Sequence, residues 1–85
     1  MRLDKFLKVS RIIKRRTLAN QACDAARVTI NGNPAKASAE VKVGDMIAIR
    51  FGERLSRYEV LQVKENVAKA DAADMIRILE GGLID

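Results

Sequence analysis

Histidine and tryptophan are absent from these 85 residues, and cysteine and proline occur once each. Without histidine, the commonest general base and the commonest metal ligand near neutral pH are missing. The single cysteine, Cys23, has no second thiol to pair with and no histidine to activate it, so neither an internal disulfide nor a Cys–His nucleophile can be built. It sits in the Ala-rich stretch QACDAA and reads as a small buried residue. No run of 18 apolar residues occurs, which excludes a transmembrane helix. The opening RLDKFLKV interrupts its apolar positions with charge, so a secretory signal is also excluded and a cytoplasmic protein is expected. No glycine-rich phosphate loop is present: GDMIAIRFGE lacks both the spacing and the Lys-Ser/Thr ending. The carboxylates are scattered, Asp71 and Asp74 among them reading as a solvated face. No catalytic residue, cofactor site or metal site is expected.

What the chain has in excess is positive charge, and it is concentrated. Residues 1–30 carry Arg2, Lys5, Lys8, Arg11, Lys14, Arg15, Arg16 and Arg27 against Asp4 and Asp24, a net charge of +6. The remaining 55 residues carry −1, so the whole excess of +5 belongs to the first third. A field so lopsided suggests an anionic partner more than general solubility.

The hydrophobic pattern divides the chain into helices followed by strands. Leu3, Phe6 and Leu7 recur at i, i+3 and i+4, a helical stripe that ends near Ser10, with Asp4 as an ordinary helix-start acid. Thr17 suits the N-cap of a second helix over 18–26, with Leu18, Ala22 and Ala25 or Ala26 facing inward. The period then changes to two. VTING reads as a strand and a tight Asn31-Gly32 turn, and Pro34 suits a sheet edge. EVKVGD alternates Val41 and Val43 before a Gly44-Asp45 turn, MIAIRF places Ile47, Ile49 and Phe51 on one side, and Gly52-Glu53 turns into SRYEVLQV. The alternation slips at Val60-Leu61, where a bulge is expected. Ala68, Ala72, Met75, Ile76 and Leu79 then draw a helical stripe over 68–80 that stops at Gly81-Gly82.

Arg2, Lys5, Lys8 and Arg11 recur every three residues beside the apolar stripe. Lys14, Arg15 and Arg16 extend them to the start of the second helix, whose free N–H groups favour an anion. Cations converging on a helix N-terminus suit a phosphate backbone. Arg27 either extends this surface or covers the start of the first strand. Three other readings are open. A membrane-surface or protein-interaction module would use the basic amphipathic first helix, but its apolar stripe is no wider than a core-facing helix needs. A DNA-binding helix-turn-helix would need a tight turn in place of a long basic connector. An accessory subunit of an RNA-modifying enzyme is the third.

At RLDKFL…SR…KRRTLA, then ARVTINGNPAKAS and VKVGDMIAIRF, the sequence resembles the S4 RNA-binding domain family over Arg2 to about Phe51. The resemblance implies an α+β fold with two N-terminal helices packed on a small antiparallel or mixed sheet and a short C-terminal helix. It implies an S4 domain over 1–65, with the C-terminal helix and tail of 66–85 packed on it or extending it. With no room for a catalytic domain, the chain is most similar to the stand-alone members that act in ribosome-associated quality control, and more distantly to the S4-class heat-shock protein. Such members do no chemistry. They bind large ribosomal subunits obstructed by peptidyl-tRNA, contact 23S rRNA and the P-site tRNA, and support C-terminal alanine tailing by the NFACT-family factor RqcH. A monomer off the ribosome, with no membrane partner, is expected. By motif, RNA contacts fall on Arg2, Lys5, Arg11, Lys14 and Arg16, while Lys8, Arg15 and Arg27 are added by charge geometry alone. One departure is Ala26, where the family usually has Gly; a left-handed backbone there costs alanine about 1 kcal/mol.

Overall fold

The computed structural model describes residues 1–83; the last two residues of the expected C-terminal tail lie outside them. Helix α1 (Leu3–Val9) and helix α2 (Arg16–Asp24) come first. They are followed by strands β1 (Val28–Ile30), β2 (Asn33–Pro34), β3 (Met46–Phe51) and β4 (Arg54–Val60), a 3-10 helix (Lys69–Met75) and strand β5 (Ile76–Glu80). The five strands form one sheet in the order β2-β1-β3-β4-β5, every pair antiparallel. This is the α+β arrangement expected, with the sheet antiparallel throughout the described residues.

Helix α1 forms because Leu3, Phe6 and Leu7 share a face that is wholly buried. Complete burial of each such side chain contributes about 1.5–3 kcal/mol. Ser10 closes the helix as expected, and Arg11 then reverses the chain with a left-handed backbone, φ 63°. The connector is not a loose basic loop. Its two isoleucines, Ile12 and Ile13, are buried in the core, and the Ile13 N–H donates to Leu7 O at 3.1 Å.

Helix α2 begins two residues earlier than the sequence suggested. Arg15 is its N-cap, Thr17 lies inside the first turn, and no side chain caps the helix. Leu18 is exposed, and the inward face is Ala19, Ala22 and Cys23. The helix ends in a left-handed cap. Ala26 has φ 58°, its N–H donates to Cys23 O, and Arg27 N–H donates back to Ala22 O, both at 3.0 Å. This Schellman geometry normally takes glycine, so alanine here carries the cost its substitution implies.

Asn31 and Gly32, with φ 52° and 85°, make the two-residue turn between β1 and β2. The Asn31 amide also donates to Asp45 at 3.0 Å and accepts the Met46 N–H at 2.9 Å. The NG and GD turns are thereby tied together, which sets where β3 starts. The expected Val41/Val43 strand does not form. Residues 35–45 are a loop stitched to the N-terminus: Leu3 N–H donates to Ala39 O, Val41 N–H donates to Met1 O, and Arg2 bridges to Glu40. Val41 is buried and Val43 is exposed, so two similar residues with the same spacing had different fates.

The expected bulge is displaced. Strand β4 runs regularly through Val60, and the irregularity lies between Arg57 and Tyr58, where β5 carries the extra residue, Leu79. The stripe over 68–80 also resolves differently. Its first half is the 3-10 helix and its second half is β5. Ala72, Met75 and Ile76 are buried as the stripe required, but Ala68 and Leu79 are exposed. The β-branched Ile76 and Ile78 pair with β4, whose outer edge would otherwise stay open. Gly81 ends the strand with φ 74°, where a Cβ would collide with Ser56. The Tyr58 hydroxyl donates to Gly82 O and holds this end down.

Candidate nucleic-acid interface

Asp4 occupies the first turn of α1, on the side that faces α2, and its side chain is 3% exposed. Arg2 donates to it through Nε at 3.2 Å and Nη2 at 3.4 Å. From α2, Arg16 donates through Nε and Nη2, each at 3.4 Å, and the Asn20 amide adds another bond at 3.4 Å. The Lys5 backbone N–H completes the set at 2.8 Å. Burial pushes the Asp4 carboxyl up, but these hydrogen bonds from Arg2, Arg16, Asn20 and Lys5 outweigh it and hold the group below its ordinary range. One buried carboxylate therefore fixes two guanidinium groups, one from the N-cap of α1 and one from the first turn of α2. Both keep an open side: Arg2 is 53% exposed and Arg16 46%. A single acid facing two arginines leaves a net cationic surface held in place, suited to an anion with several acceptor oxygens.

The remaining cations do not continue this surface as one stripe. Lys8, Arg11 and Lys14 line a separate groove of about 440 Å³, whose other wall is the loop carrying Glu65 and Asn66. The reversal at Arg11 bends the chain so that these three meet across a turn and not along a helix. Lys5, half-buried, pairs with Glu65 at 3.6 Å and stands between the two clusters. Arg15 is exposed at the start of α2. Arg27 joins neither cluster: it lies over the Phe51 ring, 5.9 Å from the centroid. Among the described residues Lys8, Arg11, Lys14, Arg15 and Arg27 form no ion pair.

Asp4 and Asn20 were missed as members of the site, and for Asp4 a signal existed. An acid one position from Leu3 and three from Leu7 sits on the apolar side of α1, where a carboxylate needs partners. Glu65 had no such signal, because only the fold brings its loop beside α1. Cys23 is buried as expected, and burial, with the charges of Asp4 and Asp24, pushes its thiol up to about 11. That removes it from thiolate chemistry. Among the described residues no group of His, Cys, Asp and Glu could hold a metal ion, and no helix is long and apolar enough to cross a membrane.

Residues 1–47 match the family described as the S4 domain. The chain is 55% identical over 80 residues to the RQC P-site tRNA stabilizing factor of Bacillus subtilis, covering 94% of this chain and 93% of that protein. The trimeric heat shock protein 15 of Vibrio cholerae superimposes with a TM-score of 0.82 at 29% identity, covering 92% of this chain and 80% of that one. The solution structure of the hypothetical protein HP1423 gives a TM-score of 0.79 at 38% identity, covering 95% and 99%.

Proposed function

We propose a function from kinship: this chain belongs to the S4 domain family, and a relative matching it almost end to end is named for stabilizing P-site tRNA. The chain is an RNA-binding factor of ribosome-associated quality control that holds the P-site tRNA on obstructed large subunits. It performs no chemistry. It acts in the cytoplasm as a monomer that joins the particle, touching 23S rRNA and peptidyl-tRNA while RqcH extends the stalled chain with alanines. The geometry that supports this reading is the Asp4 clamp, which presents Arg2 and Arg16 as a fixed pair at the surface. Phosphate contacts of this kind position a protein without reading sequence. That suits a factor whose task is to steady a tRNA whatever its anticodon. Lys8, Arg11 and Lys14 add a second group of backbone contacts, with Lys5 between and Arg15 at the start of α2.

The membrane alternative loses its apolar surface. Leu3, Phe6 and Leu7 have no exposed area, so α1 keeps no broad apolar face to insert. The test of the RNA reading is sedimentation of the Arg2→Gln, Arg16→Gln double variant with large subunits carrying peptidyl-tRNA. Loss of co-sedimentation with an unchanged circular dichroism spectrum is the expected result. Normal co-sedimentation of that variant would sink the reading.

A further inference from the structure

Helix α2 has a second flank, away from Asp4. At about 100° per residue, Leu18, Gln21 and Ala25 lie roughly 140–200° around the helix from Arg16. Between this flank and the end of β3 is a pocket of about 320 Å³ walled by Leu18, Ala22, Arg27 and Phe51. Leu18 is 40% exposed, a large apolar side chain left in solvent beside a half-buried aromatic ring. A second depression, of about 390 Å³, adjoins it through Ala25 and Arg27 and extends over Thr29, Arg50 and Leu55. Arg50 N–H donates to Arg27 O at 2.9 Å, which keeps the two arginines on neighbouring backbones. Neither arginine forms an ion pair among the described residues, nor does Arg54 at the start of β4.

Each piece alone has an ordinary use: the Arg27 guanidinium lies over Phe51 as a cation–π pair, and an exposed leucine is common. Together they set an aromatic ring, a guanidinium plane and an open apolar wall beside a second uncompensated cation. An acidic protein loop would satisfy the arginines and leave the apolar wall wet. An apolar side chain would fill the wall and leave the arginines unmatched. An unstacked nucleotide satisfies both, its base on the ring and guanidinium plane and its phosphate on the cation. We propose that this pocket takes one unpaired base of single-stranded RNA, stacked against Phe51 and Arg27, with the adjoining phosphate on Arg50. The inference rests on the RNA-binding reading above but uses none of the residues of the Asp4 clamp. It adds a grip on the flank of α2 opposite the clamp.

The test is a titration of isotope-labelled protein with an unstructured hexaribonucleotide, followed by nuclear magnetic resonance. The Phe51 ring protons are expected to move upfield together with Arg27 Nε. Both movements should persist in an Arg2→Gln, Arg16→Gln variant. Phe51→Leu, which keeps the apolar contact with the core, should remove the stacking signature and weaken binding of the hexamer roughly tenfold, the scale of one lost base–aromatic stack. Arg27→Gln with Arg50→Gln should weaken it similarly and lower the salt dependence. A Phe51 ring that stays still during the titration overturns the proposal. If α1 and connector signals move in that same experiment, the RNA reading stands without this pocket; if nothing moves and wild-type protein also fails to sediment with large subunits, both fall. Equal movement of the ring by hexaglutamate would show a protein-docking surface and overturns the proposal as well.

Discussion

Arg16 and Arg11 stand five residues apart in one basic run and carry the same charge, yet the fold treats them differently. Arg16 is held against a buried carboxylate and shares it with Arg2. Arg11 sits on a reversed backbone in an open groove with Lys8 and Lys14 and has no acidic partner among the described residues. The first arrangement fixes direction, since a guanidinium already oriented loses little freedom on meeting phosphate. The second supplies field strength and leaves the geometry to the ligand. Net charge is thus a poor guide to which cations define how an RNA sits.

The sharpest way to break that contrast is to compare neutralisations by cluster. Arg2→Gln with Arg16→Gln should lower affinity for tRNA-bearing large subunits about a hundredfold or more, because each charge-assisted hydrogen bond is worth about 1.5–3 kcal/mol. Lys8→Gln, Arg11→Gln and Lys14→Gln together should act chiefly on salt dependence, flattening the log–log slope by about 0.7–0.9 for each contact removed. Equal affinity losses per charge, measured by filter binding across a salt series, would erase the distinction.

Next in size is the support beneath the groove. Ile12→Ala should destabilise the fold by about 2–4 kcal/mol in urea unfolding, since a buried side chain anchors the connector. If the connector were loose, the change would be close to nothing.

Asp4→Asn should cost about 1–3 kcal/mol, because one charged acceptor serves four donors. The effect has a pH signature. The folded Asp4 carboxyl lies below its ordinary value of 3.8. Its contribution is therefore complete above that value and is lost as pH falls through the lowered one. Wild type should be the more stable at neutral pH, and the two unfolding curves should converge in acid. A gap that stays constant down to strong acid would mean Asp4 acts by shape alone.

The smallest effects test the backbone. Ala26→Gly relieves a left-handed residue and should add about 1 kcal/mol with no change in RNA binding. Arg11→Gly relieves the same kind of strain and should be neutral to slightly stabilising, but it removes a groove cation and flattens the salt slope. A variant more stable and less adherent than wild type would separate the two roles of that position.

How much of this was legible depended on whether local pattern or long-range pairing decided the element. The α1 stripe, the Asn31-Gly32 turn, the edge position of Pro34 and the face of Ile47 and Ile49 follow from spacing alone, because each is satisfied within a few residues. The C-terminal segment is different. Ala72, Met75 and Ile76 fit a helix or the junction of a short helix with a strand, and the open edge of β4 decided for the strand after Met75. Val43 alternates with Val41 as a strand would, but the loop around it bonds to residues 1–3 instead. Of the site, the eight cations were visible in the sequence, but their division into a clamp, a groove and an isolated arginine over Phe51 was not.

The sequence by itself determined the sign of the partner, the lack of histidine chemistry and the order of helices before strands. These are properties of composition and short-range periodicity, which survive without a fold. Only the tertiary structure decided that Asp4 would be buried between two helices and so turn two cations into one oriented pair. That outcome needs residues 2, 4, 16 and 20 brought together from two helices, and no local interaction can specify it.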